Sequence, residues 1–217
     1  MENIFCAEAL NGMVQVNPLA ELPASQAGIA MRPSGEPSGA SADLWFIDTA
    51  SGTNAQSTTD ASASSTKLAV KVMRHGCAAS HKEALESNEA YKSDWYKLRQ
   101  EYETLRSMDG AQGHAPIAYA LGWRIKKTPR GEVRYPALAM EYVEGVDVVE
   151  LREIMSDAHG EVSAADVLDT ARSIVTALLC CTVVSRDDAR YLTTVSHRDL
   201  SSHNLRFMLD KDGQRIE

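Results

Sequence analysis

Between positions 91 and 105 the apolar residues Tyr91, Trp95, Leu98, Tyr102 and Leu105 recur at spacings of 4, 3, 4 and 3. Only an α-helix brings such positions onto one stripe, and a stripe that regular needs an apolar surface to cover it. Ser80-His81-Lys82-Glu83 precedes it with the pattern of a capping box, a hydroxyl at the N-cap and a carboxylate three residues on. Gly110 supplies a stop. A single helix from about 80 to 108 would be unusually long, so a break is expected near Ser87–Asn88.

The covering surface is read from runs of strand type. Leu44–Asp48 is a run of bulky residues, and Leu68–Met73 alternates with period two. Leu68, Val70 and Val72 then share one face, and Ala69, Lys71 and Met73 the other. Ile117–Arg124 and the nearly all-apolar Tyr135–Tyr142 follow, joined through the turn Thr128-Pro129-Arg130-Gly131. Helices are expected at about 147–156 and 164–184, the second with Ser163 as N-cap and Val167, Ala171, Ile174, Val175, Leu178 and Leu179 towards a core. Leu205–Leu209 reads as a strand, Asp210–Gly213 as a turn and Arg215–Glu217 as the start of another strand.

The first forty residues are less regular. Met13–Val16 and Gly28–Arg32 have strand character, but Pro18, Pro23, Pro33 and Pro37 cut the region into short pieces. Residues 49–66 consist of Ser, Thr, Ala, Gly, Asn, Gln and Asp and read as an exposed loop. Strands segregated from helices indicate an α+β fold. No internal repeat is visible, and 217 residues allow one large domain or two small ones.

The net charge of −8 argues against nucleic acid or an anionic membrane as the main partner. The longest apolar run, around 173–184, is shorter than the roughly 20 residues that a spanning helix needs. Met1–Leu10 holds Glu2 and Glu8 and lacks the basic start of a secretory leader. Cys6, Cys77, Cys180 and Cys181 match neither a zinc set nor a secreted disulfide framework, and read as reduced thiols in a cytoplasmic protein.

Two features carry chemistry. Lys71 is a lone cation on a short-side-chain apolar strand face; an edge-strand lysine reaching for water is the plain alternative. His197-Arg198-Asp199-Leu200-Ser201-Ser202-His203-Asn204 places a carboxylate and an amide five residues apart ahead of an apolar run. Taken in order, Leu68-Ala69-Val70-Lys71, a long helix with Glu101-Tyr102-Glu103-Thr104-Leu105, the run Met140-Glu141-Tyr142-Val143-Glu144-Gly145 and this last segment resemble the eukaryotic-type protein kinases.

The resemblance covers roughly residues 35 to 217. It implies a kinase-like antiparallel-sheet N-lobe at 35–143, with 49–66 as a loop, and a partial helical C-lobe at 144–217, after a poorly defined segment at 1–34. It also implies ATP and Mg2+ as cofactors and a protein hydroxyl as phosphoryl acceptor. Lys71 would hold the α- and β-phosphates, and Glu101, bordering the apolar stripe, would aim it; Glu103 competes for that role. Ala69 and Met140 would line the adenine site, with backbone groups of Glu141 and Val143 at the adenine edge. Asp199 would orient the attacking hydroxyl, Asn204 would ligate magnesium, His197 would pack structurally and Arg198 would pair with a phosphorylated loop.

The pattern departs from the family at three places. The glycine-rich loop retains only Gly39 in Pro37–Leu44, or only Gly28 in the alternative register Pro23–Gly28. Ser201 stands where protein-serine/threonine kinases carry lysine. No Asp-Phe-Gly occurs in the 217 residues. The expectation is a kinase domain that stops before that motif, with little phosphotransfer of its own and an apolar C-lobe face open to a partner chain. A non-catalytic, pseudokinase-like binding module and a fragment of a small-molecule phosphotransferase are the alternatives.

Overall fold

The computed structural model describes residues 3–7, 29–34, 42–48, 67–108, 113–181, 183–184, 192–193 and 204–209. The chain divides into two compact units, Met1–Arg106 with Ile117–Tyr142, and Ser107–Pro116 with Val143–Glu217. The fold is α+β: one antiparallel sheet with two helices in the first unit, and two helices with a short strand pair in the second.

The sheet of the first unit has seven strands: β1 (Asn3–Ala7), β2 (Ile29–Ala30), β3 (Arg32–Pro33), β4 (Ala42–Asp48), β5 (Lys67–Met73), β6 (Ala118–Thr128) and β7 (Gly131–Glu141). Their order is β2-β1-β6-β7-β5-β4-β3, and every pairing is antiparallel. Strand β5 lies between β4 and β7, so its ladder is satisfied on both sides. The β6–β7 hairpin turns at Thr128–Gly131, where the Thr128 hydroxyl donates to the Gly131 carbonyl at 2.7 Å and Gly131 has φ +119°. Strand β1, which the sequence did not announce, pairs along its whole length with Gly122–Lys126 and buries Phe5.

The pleat sorts the side chains into two cores. Phe5, Trp45, Ile47, Leu68, Val70, Val72, Ala137 and Ala139 form one. Met73, Ala118, Leu121 and Leu138, from the opposite face, form the other with the helix residues Trp95, Leu98 and Tyr102. A β-bulge makes the second core continuous. Ala118 pairs with Met140 and Ala120 with Ala139, leaving Tyr119 as the extra residue. With a strict period of two, Ala118 and Leu121 would point to opposite faces; the inserted residue brings both to the helix side.

The long amphipathic segment is two helices, α1 (His81–Ser87) and α2 (Glu89–Met108). Ser80 and Glu83 make the capping box of α1, with the Ser80 hydroxyl and backbone N–H both on the Glu83 carboxylate. The break falls at Asn88, as its position in the sequence suggested. The Asn88 N–H still donates to the Ala84 carbonyl at 3.0 Å, while its side-chain oxygen accepts from the Tyr91 N–H at 3.0 Å. One residue thus closes α1 and opens α2. Tyr91, Trp95, Leu98 and Tyr102 are buried and Leu105 is partly buried, so the stripe is covered as its spacing requires.

The second unit contains α3 (Val148–His159) and α4 (Ala164–Cys180), and β8 (Val183–Val184) paired with β9 (Leu192–Thr193). Asp147 with Glu150, and Ser163 with Asp166, form capping boxes at their starts. Three expectations are corrected here. Helix α4 ends at Cys180, and the β-branched pair Val183-Val184 enters a strand instead. Leu205–Leu209 forms bridges at Phe207 and Leu209 in place of a strand, Phe207 pairing with Val146 at N–H···O distances of 2.8 and 3.0 Å. Helix α4 buries none of its side chains: Val167, Val175 and Leu179 are 57%, 55% and 68% exposed. Periodicity identifies the apolar side of a helix but not whether another element covers it. Gly145 passes so close to this bridge that a Cβ would lie 2.6 Å from the Phe207 carbonyl oxygen.

Among the described residues no helix is long and apolar enough to cross a membrane. Met13–Val16, the loop at 49–66, and Asp210–Glu217 lie outside the described residues.

Leu98 is fully buried where α2 meets the sheet. Leu98→Ala should lower unfolding stability by about 2–5 kcal/mol. Urea denaturation followed by tryptophan fluorescence should show a lower midpoint with an unchanged slope.

Candidate functional site

Strand β5 presents Ala69 and Lys71 towards the helix side of the sheet. In register, Leu44 of β4, Lys71 and Leu138 of β7 lie side by side, and so do Phe46, Ala69 and Met140. Cross-strand partners share a face. This surface is therefore largely apolar, with Lys71 in its middle and Lys67 at the end where Phe46 lies. Helix α2 brings Glu101 to Lys71, whose Nζ donates to Glu101 Oε2 at 2.7 Å and to Oε1 at 2.9 Å. Both side chains are 35% exposed. A pair with that much water contact adds at most about 1 kcal/mol to stability. Its structural effect is to fix where the ammonium sits. Two of the three ammonium protons meet Glu101, which leaves one more donor on the same nitrogen among the described contacts. The competing carboxylate, Glu103, faces away and pairs with Arg99 at 2.9 Å.

Of the other residues singled out from the sequence, Ala69 is buried beside Met140 on this face. Glu141 closes β7. Its N–H donates to the Ile117 carbonyl at 2.8 Å, and its carboxylate accepts from the Ile117 N–H at 3.1 Å. Val143 opens the second unit, and Asn204 lies exposed in a turn of that unit. Asp199 and Gly39 lie outside the described residues, as do both expected registers of the glycine loop except Ala42–Leu44. That end of the first register is in β4, which pairs with β3 through Arg32–Phe46 and Pro33–Trp45, so residues 35–41 connect two paired strands.

Magnesium needs several oxygen ligands in near-octahedral array. Among the described residues no three His, Cys, Asp or Glu side chains converge on a metal position. The donor set on this sheet face fits an anion at Lys71 but does not by itself make a metal centre.

Two polar arrangements escaped the sequence reading. Lys67 at the start of β5 has its ammonium 3.8 Å from the Phe46 ring centre and 3.6 Å from that of Tyr142, and the two rings meet edge to face at 5.0 Å. Asp94 of α2 is 4% exposed and accepts from His75, just beyond β5, at 2.8 Å to Nδ1 and 3.4 Å to the backbone N–H. Asp94 was legible in part. It sits between Tyr91 and Leu98 at spacings of 3 and 4, on the buried stripe itself. A carboxylate there needs a partner.

No family model matches the chain, and no curated protein matches it.

The start of the helical segment is held by an aromatic group around His81. Its ring lies 4.3 Å from Trp95, 5.0 Å from Trp123 and 5.9 Å from Tyr91, and the two indoles stack at 5.6 Å. Its Nδ1 faces the Tyr91 hydroxyl at 3.1 Å and the Trp123 indole N–H at 3.4 Å. The indole can only donate, so Nδ1 accepts and the ring is neutral with its proton on Nε2. Burial pushes the His81 pKa below its ordinary 6.5. The folded protein then binds fewer protons than the unfolded chain between the two values, so stability rises with pH across that window. The contribution is complete above pH 6.5 and is lost as pH falls through the lowered folded value. Melting temperatures at about pH 7.5 and 5.5 should therefore differ less for His81→Phe than for the parent, since the variant has no group titrating from 6.5 at that site. Equal acid sensitivity in the two proteins would place its origin elsewhere.

Proposed function

We propose that the chain is a protein-kinase-like nucleotide-binding protein whose first unit holds ATP against the β4–β5–β7 face. The observation that carries this reading is the Lys71–Glu101 pair. A strand lysine in a largely apolar face is aimed by a helix carboxylate through contacts of 2.7 and 2.9 Å. Phosphoryl transfer depends on such preorganised cations more than on covalent chemistry by the protein. Ala69 and Met140 supply apolar surface for a purine beside that cation. The sequence His197–Asn204 adds the carboxylate and amide that the reaction would use, Asp199 to orient a protein hydroxyl and Asn204 as one magnesium ligand. Ser201 stands where the family carries a basic residue, so the reading rests on nucleotide binding, with phosphoryl transfer left to the test below.

A second reading is supported by α4. Its exposed Val167, Leu168, Val175 and Leu179 form an apolar face of the kind that non-catalytic binding modules offer.

The test is ATP with magnesium against the parent chain and Lys71→Ala, read as a thermal shift. A ligand at about 100 times its Kd stabilises by about 2.7 kcal/mol, which is readily seen. The parent should shift and Lys71→Ala should need at least about tenfold more nucleotide for the same shift, the equivalent of about 1.4 kcal/mol. No shift in the parent overturns nucleotide binding. Label transfer from γ-labelled ATP to a protein acceptor, lost in Asp199→Asn, would favour the catalytic reading over the binding module.

A further inference from the structure

We infer that Asp94 and His75 are positioning residues for Lys71, acting with Glu101 as a two-point attachment of α2 to the end of β5. The inference rests on the proposed nucleotide site. It concerns two residues to which the kinase resemblance gives no role.

Asp94 and Glu101 are seven residues apart on one helix, which sets them about 10 Å apart along the axis and within about 20° of the same direction. Their partners, His75 and Lys71, are four residues apart in the chain, Lys71 within β5 and His75 two residues past its end, which at most about 13 Å of extended chain can separate. The order is reversed: the earlier helix residue takes the later strand residue. Helix and strand therefore run antiparallel and are tied at two places. Core packing through Trp95, Leu98 and Tyr102 sets the rotation of α2, and small movements along the sheet that this packing still allows would carry the Glu101 carboxylate off the ammonium. The second tie removes that freedom.

The two ties differ in kind. Lys71–Glu101 is half in water, with both partners 35% exposed. Asp94 has a side chain only 6% exposed, whereas the His75 ring is 60% exposed. A buried carboxylate is tolerated only while its hydrogen bonds are made. Facing a carboxylate, Nδ1 of His75 must carry the proton, and the backbone N–H of the same residue adds a second donor. Asp94 cannot rotate away without leaving a charge unpaired in an apolar environment. It is the fixed end, and Glu101 is the adjustable one. Trp95, next to Asp94, packs in the same core and keeps this end of α2 against the sheet.

The test measures how fast Lys71 is acylated by an amine-reactive reagent, by mass spectrometry, with Lys92 of the same helix as internal reference. Glu101→Gln calibrates the rate of a released Lys71. In His75→Ala, which alters a mostly exposed ring, Lys71 should react roughly three- to tenfold faster relative to Lys92. Asp94→Asn should do the same. His75→Asn, whose amide N–H can replace Nδ1–H, should restore the parent rate. A rise in Lys92 together with Lys71 would indicate general loosening and overturn the inference, as would an unchanged Lys71 rate in His75→Ala. ATP–magnesium affinity, measured in the same variants, should fall roughly three- to tenfold. If the parent binds no nucleotide while Lys71 labelling still follows His75, the nucleotide reading fails and the two-point attachment stands.

Discussion

Strand β5 is the constraint on which the first unit depends. It is hydrogen-bonded on both edges and covered on both faces, so none of its residues has latitude in register or direction. Leu68, Val70 and Val72 are fully buried on one side. Burying each is worth about 1.5–3 kcal/mol, against about 1 kcal/mol or less for a half-exposed ion pair. The apolar side therefore decides the register, and Lys71 is delivered to the helix side as a consequence. The ion pair then needs only a carboxylate at the right height on α2, and Glu101 stands there because Leu98, Tyr102 and Trp95 have already fixed the rotation of the helix.

That rotation is set near the other end of the helix. Asn88 separates α1 from α2, and His81 sits against Tyr91, Trp95 and Trp123. The joint lets the chain change direction where a continuous helix would have carried the aromatic stripe away from the sheet. Arg124 shows the same economy on the opposite face. Its guanidinium lies 3.8 Å from the Trp45 ring centre, and burial pulls its pKa down, so an aromatic face receives a charge that borders the first core.

The strands and the long helical segment were readable in the sequence wherever period and length agreed. The 4-3-4 stripe, the Ser80 capping box, the break at Asn88 and the facing of Lys71 all follow from local rules. Glu101 was narrowed to two candidates by its position beside the stripe; Arg99, four residues before Glu103, decides between them only once side chains are placed. Three things were not readable. Strand β1 is five residues long, and its partner β6 is more than a hundred residues away in the chain, so no local pattern announces the pairing. The covering of α4 depends on elements elsewhere, so its stripe alone could not tell a core-facing side from the open apolar face that is found. Leu205–Leu209 has strand composition, but it forms bridges at Phe207 and Leu209 in place of a continuous strand, and Gly145 leaves room for the Phe207 bridge.

The bulge at Tyr119 has a consequence for how a sequence like this can change length. It resets the parity of β6, so that Ala118 belongs to the helix-facing set together with Leu121 and Trp123. Removing one residue there would put everything upstream of it out of phase, including Ile117, which exchanges hydrogen bonds with Glu141. Added or lost residues at the Thr128–Gly131 turn carry no such penalty when they come in matched pairs, because they lengthen both strands without altering either pleat. Drift in chain length should therefore collect at the tip of the β6–β7 hairpin and be absent from its root, where a single insertion or deletion amounts to a frame error written in side chains.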